Sequence, residues 1–484
     1  MTNERVNRRT VLRAGAVGAG VLAAGVAVPG VALATGQRPV LTHGVQTGDV
    51  TTDGAIVWTR ADRPARMLVE VSYDESFRRA RRIPGPLLTP GTGGTGRLRV
   101  TDLAPGRTVH YRVTAEDLDG RARSAPLTGT FRTAPVGRES VRFTWSGDVA
   151  GQGWGINPDI GGMTAYRSML RRDPDFFLHS GDTVYADGVI EESVTLPDGR
   201  VWRNVVTPEK SKVAETLDEY RGQFAYNLLD DNVRAFAARV PAYVQWDDHE
   251  VLNNWYPGEI LDLPQYTEKR VDVLAARAFR AFHEWQPIDR RRAVDGRVYR
   301  GFSYGRHVDV FVLDMRTYKD PNDGNVYTDP RRGLLGAEQR GWLIRELARS
   351  RATWKVIAND LPLGLIVPDA PGTYEGVAQG APGAPLGREL EFAEILRTAH
   401  RTGVTGIVLL TADVHYTAAH YYDPARAAVG DFTPFWEFVS GPANAGAYGP
   451  NTLDPTFGPV AVFVHAPPRP NASPAEGYQH FGQV

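Results

Sequence analysis

The sequence predicts a layered α/β domain with a small β-sandwich in front of it. Three observations support this. Between 38 and 134, runs such as 55–59, 67–73, 98–101 and 108–115 alternate or stay apolar, with Gly, Pro and Asp between them. From about residue 140, short apolar runs alternate with stretches whose apolar residues recur at helical spacing, the pattern of a sheet buried beneath helices. Five of these later runs end in a carboxylate or an amide, at Asp148, Asp182, Asp248, Asn359 and Asp413. A buried strand delivers its last residue to one edge of its sheet. Five such ends with hard oxygen donors point to a built cation site.

Composition narrows the classes. A chain of 484 residues can bury a sizeable core and hold more than one domain. Its net charge of -1 gives no overall pull toward nucleic acid or anionic membrane, and no stable nucleic-acid partner is expected. With 11 His and no Cys, disulfides, thiolate nucleophiles, iron–sulfur clusters and thiolate zinc sites are excluded together.

The N-terminus reads as an address. Arg8 and Arg9 form a twin-arginine pair, and 14–34 is uncharged and rich in Ala, Gly and Val. Ala32 and Ala34 supply the small residues of a cleavage site. Weak hydrophobicity and Pro29 favour a removed signal at 1–34 over an anchor, so no stable membrane span is expected in the mature protein. The twin-arginine export machinery is then a partner, and the protein is secreted or held in the cell envelope. This route carries folded proteins, which suits a chain that loads its metal before export.

The sandwich is expected over 38–134. The turn at 103–107 feeds the strand at 108–115, as in fibronectin and Ig-like sandwiches. A linker follows at 134–137, and the α/β domain takes 140–484. Helices are expected over 164–172, 213–239, 270–285, 337–350 and 389–402. Long loops fall at 187–208, 256–268 and 361–387, and long loops in compact domains are often functional.

The strand ends carry the chemistry. Asp182 can bridge two cations through its two oxygens. Tyr185, as a phenolate, is a hard donor suited to Fe³⁺; the pair also reads as an N-capping Asp and a packing Tyr. In 246–250 an apolar strand runs into Asp247, Asp248, His249 and Glu250. Asp248 can bind a cation, while His249 can stabilise a transferring oxyanion or protonate a leaving oxygen. Asp413 and His415 lie on one face of an extended segment and can serve adjacent cations. Asp148 and Asn359 end strands in the same way, and either fits a cap as well. Arg316 fits a grip on a phosphate oxygen or a structural pair with Asp314. The glycines at 151–155 lack the following Lys of a nucleotide loop. Oxygen and imidazole donors without thiolate suit a two-metal hydrolase of phosphate esters. There, two cations about 3.5–4 Å apart clamp the attacking and leaving oxygens. Fe³⁺, Ca²⁺, Mg²⁺ and Mn²⁺ all accept such donors.

Gly181 to Tyr185, Asp248 to Glu250, Val356 to Asn359 and Asp413 to His415 resemble, in order, the metal motifs of calcineurin-like and purple acid phosphatases. The runs 246–254 and 411–415 resemble the PhoD-type alkaline phosphatase/phosphodiesterase family more closely. The resemblance implies a metallophosphoesterase-type α/β/β/α sandwich behind the small β domain, with Fe³⁺ and one or two Ca²⁺. Asp182, Tyr185 and His415 would hold iron. Asp182 would bridge to calcium with Asp248, Asn359 and Asp413, and His249 would face the phosphate. Relatives with an iron–calcium site place a cysteine where Asp148 stands. Asp148 instead matches the first Asp of the purple acid phosphatase pattern.

The expected function is an exported alkaline phosphatase whose metal-bound hydroxide attacks mono- and diesters, with Asp182 and His249 catalytic and His249 and Arg316 on the substrate. A phospholipase D-like phosphodiesterase acting on lipid head groups or teichoic acids is the alternative. A surface-binding protein with a silent phosphatase domain is the non-enzymatic one. Family members often continue beyond a segment like 477–482; natural variation and a truncated C-terminus at Val484 both fit this, and Tyr478 and His480 in that segment are not assigned to the site.

Overall fold

Seven strands form the first region: β1 (Leu41–Gly48), β2 (Ala55–Ala61), β3 (Ala65–Ser72), β4 (Arg81–Leu88), β5 (Thr95–Val100), β6 (Thr108–Asp117) and β7 (Leu127–Arg132). The computed structural model describes residues 38–293, 296–329 and 331–484, so the signal expected at 1–34 lies outside the described residues. β4, β3, β6 and β7 form one sheet in that order, and β5, β2 and β1 face it. Alternation sets the faces: Met67, Val69 and Val71 of β3 and Val109, Tyr111 and Val113 of β6 all point into the shared core. This is the expected sandwich, with β1, β4 and β7 added. β4 carries Pro84 and Pro86, which hide it from propensity and are tolerated because it is an edge strand.

The second region contains β8 (Phe143–Ser146), α1 (Thr164–Leu170), β9 (Phe176–Ser180), a short hairpin of β10 (Ser193–Thr195) and β11 (Val201–Arg203), α2 (Leu217–Asn227), α3 (Asp231–Ala237) and β12 (Ala242–Gln245). After these come α4 (Val271–Trp285), β13 (Arg300–Tyr304), β14 (Val308–Val312), α5 (Gly336–Arg349), β15 (Trp354–Ala358), α6 (Glu389–Arg401) and β16 (Ile407–Thr411). β17 (Thr417–Tyr422), β18 (Phe435–Val439), β19 (Pro459–His465) and β20 (Gly482–Gln483) complete the chain. The helix expected over 213–239 is two helices. Thr216 and Glu219 form a capping box that starts α2, and the Asp230 carboxylate accepts from the Asn232 and Val233 amides to start α3.

Two seven-stranded sheets stack face to face. One runs β20-β8-β9-β12-β1-β2-β5, the other β13-β14-β15-β16-β18-β17-β19. Phe176 and Leu178 of β9 meet Val356 and Ala358 of β15 between the sheets. Their neighbours point outward: Phe177 packs under α1 to α4, and Ile357 under α5 and α6. The result is an α/β/β/α sandwich. β8, β9 and β12 are parallel, and so are β14, β15, β16 and β18, so their C-terminal ends share one edge of the stack.

The sandwich is not hung on a free linker. β1 joins β12 in parallel at Gly48 and Ala242, so one sheet runs through both regions. Just past that join the Asp49 carboxylate takes Arg300 of β13 through Nε (3.1 Å) and Nη2 (2.9 Å), and both side chains are almost wholly buried. Removing one partner of such a pair costs about 3–5 kcal/mol, whereas replacing both by apolar groups is far milder. Asp49→Ala should therefore lower the thermal unfolding midpoint sharply, and Asp49→Leu combined with Arg300→Met should recover most of the loss in a melting experiment.

Candidate metal centre

The site grows from strand ends that turn sharply. Asp148, Asp182, Asp413 and His415 all have left-handed backbones, with φ of 63°, 49°, 65° and 60°. Asp tolerates this region better than most residues, yet each instance still costs about 1 kcal/mol. The turns lock together: the Val149 amide donates to the Asp182 carbonyl (3.0 Å) and the Asn444 amide to the Asp148 carbonyl (3.1 Å). Two glycines give the room. A Cβ on Gly441 would lie 2.2 Å from Asp148 Oδ2, and one on Gly151 would lie 2.6 Å from the Tyr185 ring.

The donors fall into three groups. Asp148, Asp182 and His415 offer ligand atoms within 4.8 Å of one another, as do Asp182, Asp248 and His249, and likewise Asp247, Asp248 and Asp413. Asp182 belongs to the first two groups and Asp248 to the last two. Tyr185 joins the first group, its hydroxyl 2.8 Å from His415 Nε2. His415 Nδ1 lies 2.5 Å from the Gly446 carbonyl, which fixes the proton there and leaves Nε2 as a donor. Asn359 is fully buried at the end of β15. Neither of its amide atoms, and neither oxygen of Asp148, has a hydrogen-bond partner. Buried polar groups are normally satisfied, so the orphan oxygens of Asp148 and Asn359 fit a bound cation.

Electrostatics points the same way. Burial and neighbouring carboxylates push the Asp148, Asp182 and Asp413 carboxyls well above the usual range. Burial also acts to raise Asp248, but His249 and Arg316 outweigh it and hold this carboxyl low. Burial, with help from Asp182 and Asp148, pushes the Tyr185 phenol up, so only a strong cation would make it a phenolate. Burial drives His415 down to about 4, which keeps it neutral and able to ligate. His249 behaves oppositely. Burial opposes its charge, but Asp187 and Asp248 push it up to about 10. Asp187 Oδ1 is 2.8 Å from His249 Nδ1, leaving Nε2 for the site, and the Tyr185 ring backs the imidazole at 4.2 Å.

Arg316 departs from expectation. Its side chain is 0% exposed and is engaged by buried acids rather than presented to open space. Nor is Asp314 its ion-pair partner. Nε contacts Asp247 at 2.5 Å, Nη1 and Nη2 hold Glu375 at 2.5 and 3.1 Å, and Nη2 approaches Asp248 and Asp413 at 3.7 and 3.6 Å. Arg316 is a buried counter-charge beneath the ligands. Asp247 and Glu250 belong to the motif at 246–250 but carried no expected role, and Asp187 and Glu375 were not singled out as site residues. Glu250 ties the turns after β9 and β12 by accepting from the Thr183 and Asp247 amides. Asp187 was in reach, two residues beyond Tyr185. Glu375 has no local signal, since it comes from the 361–387 loop. In Arg316→Met the buried acids lose their counter-charge, at about 3–5 kcal/mol. Stability and retained metal should both fall, while KM of the metal-loaded fraction stays near wild type; a raised KM with full metal content would restore Arg316 as a substrate contact.

Comparisons with known proteins agree with this architecture. Alkaline phosphatase D of Bacillus subtilis (strain 168) is 29% identical over 401 residues, covering 77% of this chain and 64% of that protein. The chain thus spans less than two thirds of that relative's length. A solved structure described as "Structure of PhoD" superposes with a TM-score of 0.67 at 25% identity, over 84% of this chain and 78% of the other. Purple acid phosphatase PPD1 from yellow lupin (Lupinus luteus) seeds shares the fold, with a TM-score of 0.56 at 14% identity over 89% of this chain and 68% of its own. The model of the PhoD-like phosphatase N-terminal domain matches residues 27–135, and that of the PhoD-like phosphatase matches 143–484. The chain belongs to the PhoD-like phosphatase family.

Proposed function

We propose that this chain is a metal-dependent phosphoric ester hydrolase, exported by the twin-arginine route, that cleaves phosphate mono- and diesters at alkaline pH. One observation carries the reading: Asp182 belongs to two groups at once, with Tyr185 and His415 on one side and Asp248 on the other, where His249 stands beside the carboxylates as the charged imidazole and not as a ligand. A carboxylate shared by two cation positions is what in-line displacement at phosphorus needs. Asp148, Asp182, Tyr185 and His415 would hold Fe³⁺. Asp182, Asp248, Asn359 and Asp413 would hold one or two Ca²⁺. When bound, the cations supply Lewis acidity toward the ester oxygens and acidify water at the site.

The chain's own residues orient and protonate. Asp187 holds His249 by Nδ1, so its Nε2 proton is directed at an oxygen of the substrate. The charged imidazole then offsets negative charge that builds on the transferring group. Tyr185 and the bare backbone of Gly151 fix the ring plane behind it.

Elemental analysis of protein exported by its native route should find iron and calcium, with a visible absorption band that disappears in Tyr185→Phe. A colourless active enzyme holding only divalent metal overturns the iron assignment. Metal-loaded protein that turns over neither an aryl phosphate monoester nor a diester overturns the hydrolase itself, and the ratio of the two rates sets the preferred ester. Asp187→Asn should cut kcat roughly 10–100-fold with metal content unchanged, as expected when a hydrogen-bond partner orienting a site residue is lost.

A further inference from the structure

A cavity of about 990 Å³ lies away from the metal centre. It is a groove beside β13, the edge strand of its sheet, walled by α5 and by 50–52 of the sandwich. Thr353, just before β15, lines it, whereas Asn359 follows β15. The five residues of the strand separate the two places by roughly 17 Å.

Charge sets this groove apart. Seven of its lining residues are Arg and two are acidic, Asp309 and Glu346, in a chain of net charge -1. Arg300, Arg297 and Arg349 are paired with Asp49, Glu338 and Glu346. Asp309 is occupied by the Ser350 hydroxyl at 2.5 Å. Arg138, Arg306 and Arg351 are exposed, and no ion pair engages any of the three among the described residues. Three unpaired guanidinium groups on one groove form a fork-rich anion surface.

The aromatic residues say which anion. Phe302 and Tyr299 are buried, with Arg292 over Phe302 at 5.0 Å and Trp342 against Tyr299 at 5.2 Å. Neither ring is open to a nucleobase, and the half-buried Trp342 indole that also lines the groove is a single ring, short of the successive stacking platforms that single-stranded nucleic-acid sites rely on. We propose that this groove is a second anion-binding site, separate from the metal centre, that holds a linear non-aromatic phosphate chain. Its choice of phosphate over carboxylate rests on the phosphoesterase reading; the arginine cluster does not.

The test uses the full metal-loaded chain and an end-labelled inorganic polyphosphate, followed by fluorescence anisotropy. Saturating orthophosphate occupies the metal centre throughout, so the signal reports chain binding elsewhere. The variant Arg138→Ala/Arg306→Ala/Arg351→Ala should bind roughly tenfold more weakly or worse, from three exposed charge contacts. Its melting point and aryl phosphate turnover should match wild type, and the matching triple change to Lys should restore most of the affinity. Three results each overturn the proposal: undiminished binding by the Ala variant, displacement of the probe by polyglutamate as readily as by unlabelled polyphosphate, or tighter binding of oligothymidylate. Aryl phosphate turnover by the same wild-type sample tests the hydrolase reading separately.

Discussion

Closely packed carboxylates repel one another, and here Asp148, Asp182, Asp247 and Asp248, all buried, meet the partly buried Asp413 at the shared edge of two stacked sheets. Two unit charges 4 Å apart interact by about 4 kcal/mol at an effective dielectric of 20. Arg316 offsets part of this through Asp247, and Lys319 shares Glu375 with it. That compensation is incomplete, because Asp148, Asp182 and Asp413 stay pushed well above the usual carboxyl range. The remaining demand is for positive charge supplied from outside the chain. The left-handed strand ends, the bare backbone at Gly441 and the inward arginine all serve to hold acids where they would not otherwise stay.

The site therefore has two kinds of member, and they differ in how the chain delivers them. The donors end strands, so parallel β8, β9, β12, β15 and β16 bring them to one edge automatically. The residues that fix the donors arrive from loops. Asp187 and Glu375 each sit in a long connection, and Gly446 lies in the segment after β18. Arg388 shows how firmly these loops are held: its guanidinium donates to the Tyr374, Glu375 and Gly376 carbonyls and so fixes the backbone that carries Glu375.

This division explains what the sequence could reveal. A strand end followed by an acid or amide is a local pattern, so Asp148, Asp182, Asp248, Asn359 and Asp413 stand out in the chain; the four aspartates fall into overlapping groups, and Asn359 is buried at the end of β15. A layered α/β domain was legible from strands alternating with helices, whereas the stacked α/β/β/α order came from the family resemblance. What escaped was non-local. Arg316 sits after β14 beside Asp314, and only the fold reveals that it turns beneath the ligands to Asp247 and Glu375. The split of 213–239 depended on Asp230 acting as a cap, which apolar periodicity does not register. β4 was hidden by prolines that only an edge position permits.

Asp148 shows how the choice of donor follows from the same constraint. A thiolate there would be soft and polarizable; a carboxylate is hard and spreads its charge over two oxygens. Both of those oxygens are buried without a hydrogen bond, and Gly441 leaves no Cβ in their way. Every anionic donor in the first group is then an oxygen: Asp148, Asp182 and Tyr185, with neutral His415 beside them. Such a set discriminates by charge more than by softness. Under the iron assignment proposed above, three hard anions packed this closely would gain most from a trivalent cation, the highest positive charge they can share.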